Sequence, residues 1–130
     1  MRELIYTVVE AFYRKATNDV LIGYHFTKFS DPEVLGPHLE RITSFWEMQL
    51  TGTTSVPING PFQLLFTHLK LHIKPGELGR WIVLFHQTLD SLEAEVDQPQ
   101  IKEINALWKQ RIAMFELRFK SHPQMFTGNF

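Results

Sequence analysis

Cysteine is absent from this 130-residue chain. Its absence excludes disulfides, a thiolate nucleophile and any thiolate-held metal, so a metal would have to rest on His, Asp, Glu or Tyr. An excess of charge is also missing: thirteen basic residues face fourteen acidic ones, for a net charge of −1, and no long run carries one sign. The sequence therefore has no electrostatic footprint for nucleic acid or for an anionic membrane surface. Long apolar runs are missing too. The longest is the five-residue WIVLF at 81–85, far short of the ~20 residues that a spanning helix needs. The N-terminus, MRELIYTVVEAFYRK, carries Glu3 and Glu10 within its apolar stretch, which is not the pattern of a secretory signal peptide. The expectation is a soluble, cytoplasmic protein. Internal repeats, low-complexity tracts and strand-like alternation are lacking as well.

What the chain does have is aromatic bulk: eleven Phe, three Trp and three Tyr. Large flat side chains suit the walls of a cavity for a flat ligand, although composition alone favours plain bulky packing. The length implies one domain spanning 1–130, large enough to bury roughly two thirds of its unfolded surface. Leu4, Val8, Phe12 and Ala16 form one helical stripe over residues 2–17, with Ile5, Val9 and Tyr13 beside it. A connector with Gly23 as its turn residue leads to Ser30-Asp31-Pro32-Glu33, which is helix-start chemistry. Gly36 and Pro37 are expected to divide the next segment into a short turn and a main helix near 37–50, with Gly52 just past its end. After the loop TGTTSVPING, Pro61 opens a short helix carrying His68. Leu78, Trp81, Phe85, Leu89 and Leu92 mark a long helix running to about Val96. Ile101, Ile104, Trp108, Ile112, Phe115 and Phe119 mark a last one, and the tail 123–130 is expected to fray. The fold class is all-α, with five main helices.

Several polar groups fall on otherwise apolar faces. His68 and His72 have the i, i+4 spacing that can clip a metal. No HExxH-type glutamate or third ligand accompanies them, so one satisfied core histidine and one surface histidine is the better reading. His38 precedes Ile42, Phe45 and Trp46 at +4, +7 and +8, which points its ring inward. A buried phenol at Tyr13 and a buried indole at Trp81 each want a hydrogen-bond partner. Singly, each is a core residue with a local partner. Together they suggest a cavity holding something small and polar.

The segments AFYRKA and IGYHF, then HLERITSFWEMQL, THLKLHI and GRWIVLF, stand in the order and spacing of a truncated haemoglobin of the third group, which the chain resembles. The resemblance covers roughly residues 4–92. It implies a two-over-two helical sandwich around haem b. Matched residue by residue, it makes Tyr13 the distal hydroxyl, His38 the distal histidine and Trp81 the tryptophan of the distal wall. Phe26 would pack on the haem face, and His68 would be the proximal iron ligand. The family's His-x-x-Leu-x-Ile pattern is met by His68, Leu71 and Ile73, with His72 the competitor for iron. The Leu64 carbonyl is the natural acceptor for the other nitrogen of His68. Ile42, Phe45, Trp46, Leu78 and Phe85 complete the implied cofactor wall. Arg41 is either a propionate partner or a solvated helix residue. Two departures stand out: Gly23-Tyr24-His25-Phe26 replaces Gly-Pro-Ile-Phe, and Glu77-Leu78 replaces the His-Phe before the Arg-Trp pair.

The resemblance implies a five-coordinate iron with a polar distal pocket, binding dioxygen, nitric oxide and carbon monoxide. Distal donors favour slow release or onward redox chemistry on reactive oxygen and nitrogen species over simple delivery. A reductase is then a conceivable partner, and a monomer is expected. The rival reading is a haem-free all-α protein whose aromatic cavity takes a lipid or a partner helix.

Overall fold

The computed structural model describes residues 1–56, 73–96 and 99–121. Leu64, His68, Leu71 and His72, the expected helix after Pro61 and the tail from 122 lie outside the described residues. Every regular element among the described residues is helical: α1 (Arg2–Thr17), a 3₁₀ helix (Gly23–Ser30), α2 (Pro32–Thr51), α3 (Pro75–Glu95) and α4 (Gln100–Lys120). No helix among them is long and apolar enough to cross a membrane.

The expected periodicity sets the buried faces. Helix α1 buries Ile5, Val8, Val9, Phe12 and Ala16, the positions its three-and-four spacing brings to one side. It packs on α2, on α3 and on the 3₁₀ helix, while α4 packs on α3 and more lightly on α2. The result is an all-α arrangement of two helix pairs laid one over the other. Aromatic rings fill the join: Phe85 lies 4.6 Å from Phe12 and 5.4 Å from the fully buried Trp108, and Trp46 lies 5.2 Å from Trp108. Truncating such a ring to alanine costs about 3–5 kcal/mol, so this floor is rigid.

The start of α2 agrees with its sequence signals. The Asp31 carboxylate accepts from the Glu33 N–H at 3.0 Å, and Pro32 occupies the first turn, where its missing N–H is not needed. Gly52 closes the helix in the left-handed conformation (φ 82°), and its N–H donates to the Met48 carbonyl at 2.9 Å. The expected break at Gly36-Pro37 does not occur, and α2 runs unbroken through both. Pro37 lies close behind the first turn, so it removes a single hydrogen bond, to the Glu33 carbonyl. Packing of the inward face beyond it keeps the axis continuous.

The connector is also more regular than its sequence suggests. Gly23–Ser30 forms a 3₁₀ helix pressed against the end of α1. Gly23 is buried, and a Cβ there would meet the Thr17 carbonyl oxygen at 3.0 Å, so the glycine permits the close approach. Asp19 holds the turn before it. Its Oδ2 accepts from the Leu21 and Ile22 N–H groups, and its Oδ1 accepts from both Nη2 and Nε of Arg80 on α3, at 2.7 and 3.0 Å. At the opposite end, buried Glu47 accepts from Arg2 at 3.0 Å and from Thr54 and Ser55, tying α1 to the chain beyond α2.

Candidate functional site

Between the helix pairs lies a cavity of about 350 Å³, within the range of small-molecule sites. Its lining is mostly apolar and flat. Phe12 and Tyr13 come from α1, and Phe26 and Phe29 from the 3₁₀ helix. Ile42, Phe45 and Trp46 come from α2, and Leu78, Trp81 and Phe85 from α3, with Ile73 just before it. The cavity thus brings together the sequence-derived candidates Tyr13, Phe26, His38, Arg41, Ile42, Phe45, Trp46, Ile73, Leu78, Trp81 and Phe85.

One polar contact dominates the interior. The Tyr13 hydroxyl lies 2.7 Å from His38 Nε2. Helix periodicity turns both side chains inward, but only the packing of α1 on α2 closes the 25 residues between them. Rings hold the pair from the sides: Phe29 stacks on His38 at 4.2 Å and 22°, and Phe26 meets Tyr13 edge-on at 5.6 Å and 90°. The Trp81 ring is braced by Phe12 at 5.5 Å and Phe85 at 5.2 Å. Trp81 also lines the cavity, and its indole N–H can only donate. Lys28 and Arg41 also line it, which puts positive charge at its edge.

The electrostatics keep the polar pair neutral. His38 is pushed down to about 4, first by burial and then by the positive charges of Lys28 and Arg41. Burial pushes the Tyr13 phenol up. Unfolding returns His38 to its ordinary 6.5, so below that pH the unfolded chain binds a proton that the folded chain refuses until about 4. The stability at stake is complete above 6.5 and is lost as the pH falls toward 4, at up to about 1.4 kcal/mol per pH unit. Urea midpoints across this window should therefore fall more steeply for the wild type than for His38→Gln. Parallel curves would mean that His38 is not held neutral.

Sequence reasoning did not find several residues of this wall. Phe29, Lys28, His25 and Glu77 all line the cavity. For His25 and Glu77 there was a signal, because both sit where the chain departs from the pattern it otherwise matches. Among the described residues no group of three or more His, Asp or Glu is arranged to hold a metal ion.

No protein-family model matches the chain, and no curated protein matches it. Among solved structures, the crystal structure of a group III truncated haemoglobin from Campylobacter jejuni superposes with a TM-score of 0.74. The match covers 93% of this chain and 89% of that one, at 28% sequence identity. The chain is thus similar in fold, and at 28% identity, to a group III truncated haemoglobin. That likeness makes haem the group to fit against this cavity.

The donor set and shape of the cavity fit that cofactor. The cavity offers flat apolar walls for a macrocycle and cationic groups at the edge for its carboxylates. It also offers neutral hydrogen-bond donors inside for a small ligand. Phe26, Ile42, Phe45, Leu78 and Phe85 line its walls and would pack on such a ring, and Lys28 and Arg41 line it too and would meet the charged rim.

Proposed function

We propose that the protein holds haem b through His68 and binds dioxygen, with nitric oxide and carbon monoxide as related ligands, beneath Tyr13, His38 and Trp81. The observation that carries this reading is the 2.7 Å contact between Tyr13 and a neutral His38, set in an apolar cavity beside the Trp81 indole. Haem, when bound, supplies a ferrous centre that takes up a diatomic gas and shifts electron density onto it.

The chain's own groups respond to that charge. With its proton on Nδ1, His38 accepts from the Tyr13 hydroxyl. With the proton on Nε2, it donates to the phenol oxygen and frees the phenol proton to point into the cavity. A polarised ligand favours the second arrangement, so His38 acts on the ligand through Tyr13. Trp81 can donate only, and it adds a second hydrogen bond without changing state. Neither ring needs large movement, because Phe12, Phe26, Phe29 and Phe85 fix the donors before the ligand arrives.

Two strong donors slow release. That suits onward redox chemistry on nitric oxide or peroxide, with electrons from a reductase, better than oxygen delivery. Absorption spectra of the purified chain titrated with haem, oxidised and then reduced, test the reading. A Soret band with a five-coordinate ferrous form that takes up carbon monoxide is expected. No Soret band at stoichiometric haem would leave the aromatic cavity to some other apolar ligand. A bis-histidine ferrous spectrum lost in His38→Ala would make His38 an axial ligand instead.

A further inference from the structure

A second polar cluster in the cavity wall has no part in that ligand-binding scheme. Glu77, in the first turn of α3, accepts from the Lys74 N–H at 2.7 Å and from His25 Nε2 at 3.2 Å, and it also accepts from the Tyr24 hydroxyl. The Tyr24 and His25 rings lie against each other, 4.0 Å apart. Tyr24 is 55% exposed, whereas the His25 and Glu77 side chains are only 9% and 11% exposed and line the cavity. The two stretches where the sequence departs from its family's pattern therefore face one another across 52 residues.

Clasping the two stretches together would not by itself need a charge. A glutamine could cap α3 and accept from Tyr24 at no charge-burial cost, while a nearly buried carboxylate is expensive unless its charge is used. Burial works to raise the Glu77 pKa, but hydrogen bonds from Tyr24, the Lys74 N–H and His25 outweigh it and hold it below the usual carboxylate range. The N-terminal end of the α3 dipole acts in the same sense. None of these hydrogen-bond donors is an arginine or lysine side chain. Arg80 is bound to Asp19 Oδ1 through two hydrogen bonds, and Lys28 sits over Phe29 at 5.1 Å and acts on His38. Glu77 therefore places a carboxylate in the cavity wall, with His25 as its titratable partner.

We propose that Glu77 sets the oxidation balance of the bound haem, its carboxylate favouring the ferric state. This rests on reading the cavity as a haem site. The step is a one-electron exchange: ferric haem gains an electron from a one-electron reductant and loses one positive charge, with no bond made or broken. An anion in the wall stabilises the more positive partner. As a general scale, one elementary charge acting across about 10 Å at an effective dielectric near 20 shifts a one-electron equilibrium about tenfold.

The test is spectroelectrochemical titration of the haem-loaded full chain at pH 7. Glu77→Gln removes the charge and keeps the shape, and it should raise the midpoint by about 59 mV, the equivalent of a tenfold shift for one electron. Glu77→Asp keeps the charge but shortens the reach to Tyr24 and His25, so it should stay near the wild type. Tyr24→Phe removes a donor that screens the carboxylate and should move the midpoint slightly down. An unmoved midpoint in Glu77→Gln overturns the proposal, and so does an equal shift in Glu77→Asp. If Glu77→Gln does not fold, Tyr24→Phe decides, because an exposed tyrosine can be changed safely; an unmoved or raised midpoint then overturns it. A wild type without a Soret band overturns the haem reading and this inference together. A normal Soret band with unmoved midpoints overturns this inference alone.

Discussion

Tyr13→Phe should release dioxygen about ten- to hundredfold faster than the wild type, while carbon monoxide release changes far less. The reason lies in the charge each gas carries once bound. Dioxygen becomes polarised toward negative charge, and a hydrogen bond to a charged group is worth roughly 1.5–3 kcal/mol, which corresponds to that range of rates. Carbon monoxide stays nearly neutral and gains little from a donor. The substitution is clean because the ring stays, held by Phe26 at 5.6 Å and by Phe29 at 5.6 Å. Equilibrium affinity should change less than the release rate. When the ligand leaves, the wild-type hydroxyl returns to His38 Nε2, and the variant has no such bond to regain. Trp81→Phe combined with Tyr13→Phe should exceed either single change. Flash photolysis and stopped-flow mixing read both gases. Equal acceleration of the two would make Tyr13 a wall residue only, and no change in either would place it outside the ligand space.

His68→Ala should leave the protein poor in haem, or dependent on added imidazole, while His72→Ala keeps the wild-type spectrum. Haem iron needs one neutral imidazole nitrogen as its axial ligand, and the other nitrogen works best when it donates to an acceptor such as the Leu64 carbonyl. Both histidines and Leu64 lie outside the described residues, so the assignment rests on the His-x-x-Leu-x-Ile match of His68, Leu71 and Ile73. Removing an axial ligand deletes the strongest bond to the cofactor, and the apolar wall alone should hold it weakly. The Soret intensity after haem titration and gel filtration measures the effect. Haem retained in His68→Ala and lost in His72→Ala would move the iron four residues along the chain.

The helices were legible in the sequence because their rules are local. Apolar spacing of three and four chose the buried faces of α1, α3 and α4. Asp31, Pro32 and Gly52 marked the ends of α2 because each acts on backbone groups within one turn of itself. The same locality explains the failure at Gly36-Pro37. Two helix-weakening residues in sequence predict a break, yet the loss is a single hydrogen bond, and packing beyond it is stronger than that penalty. The 3₁₀ helix was hidden for a related reason. At eight residues it is too short for periodicity to stand out, and it is held by contacts with the end of α1 and the start of α3.

The members of the site were legible too, since periodicity turned Tyr13, His38 and Trp81 inward and the order of motifs pointed to a truncated haemoglobin. Their relations were not. Tyr13 and His38 are 25 residues apart, His25 and Glu77 52, and Asp19 and Arg80 61. The sequence by itself determined an all-α chain and which side chains face inward, because helix geometry repeats every few residues. Only the tertiary structure decided that His38 meets Tyr13 and that Glu77 meets His25 in the cavity wall. Hydrogen bonding and desolvation depend on which helices meet, and no local rule carries that information.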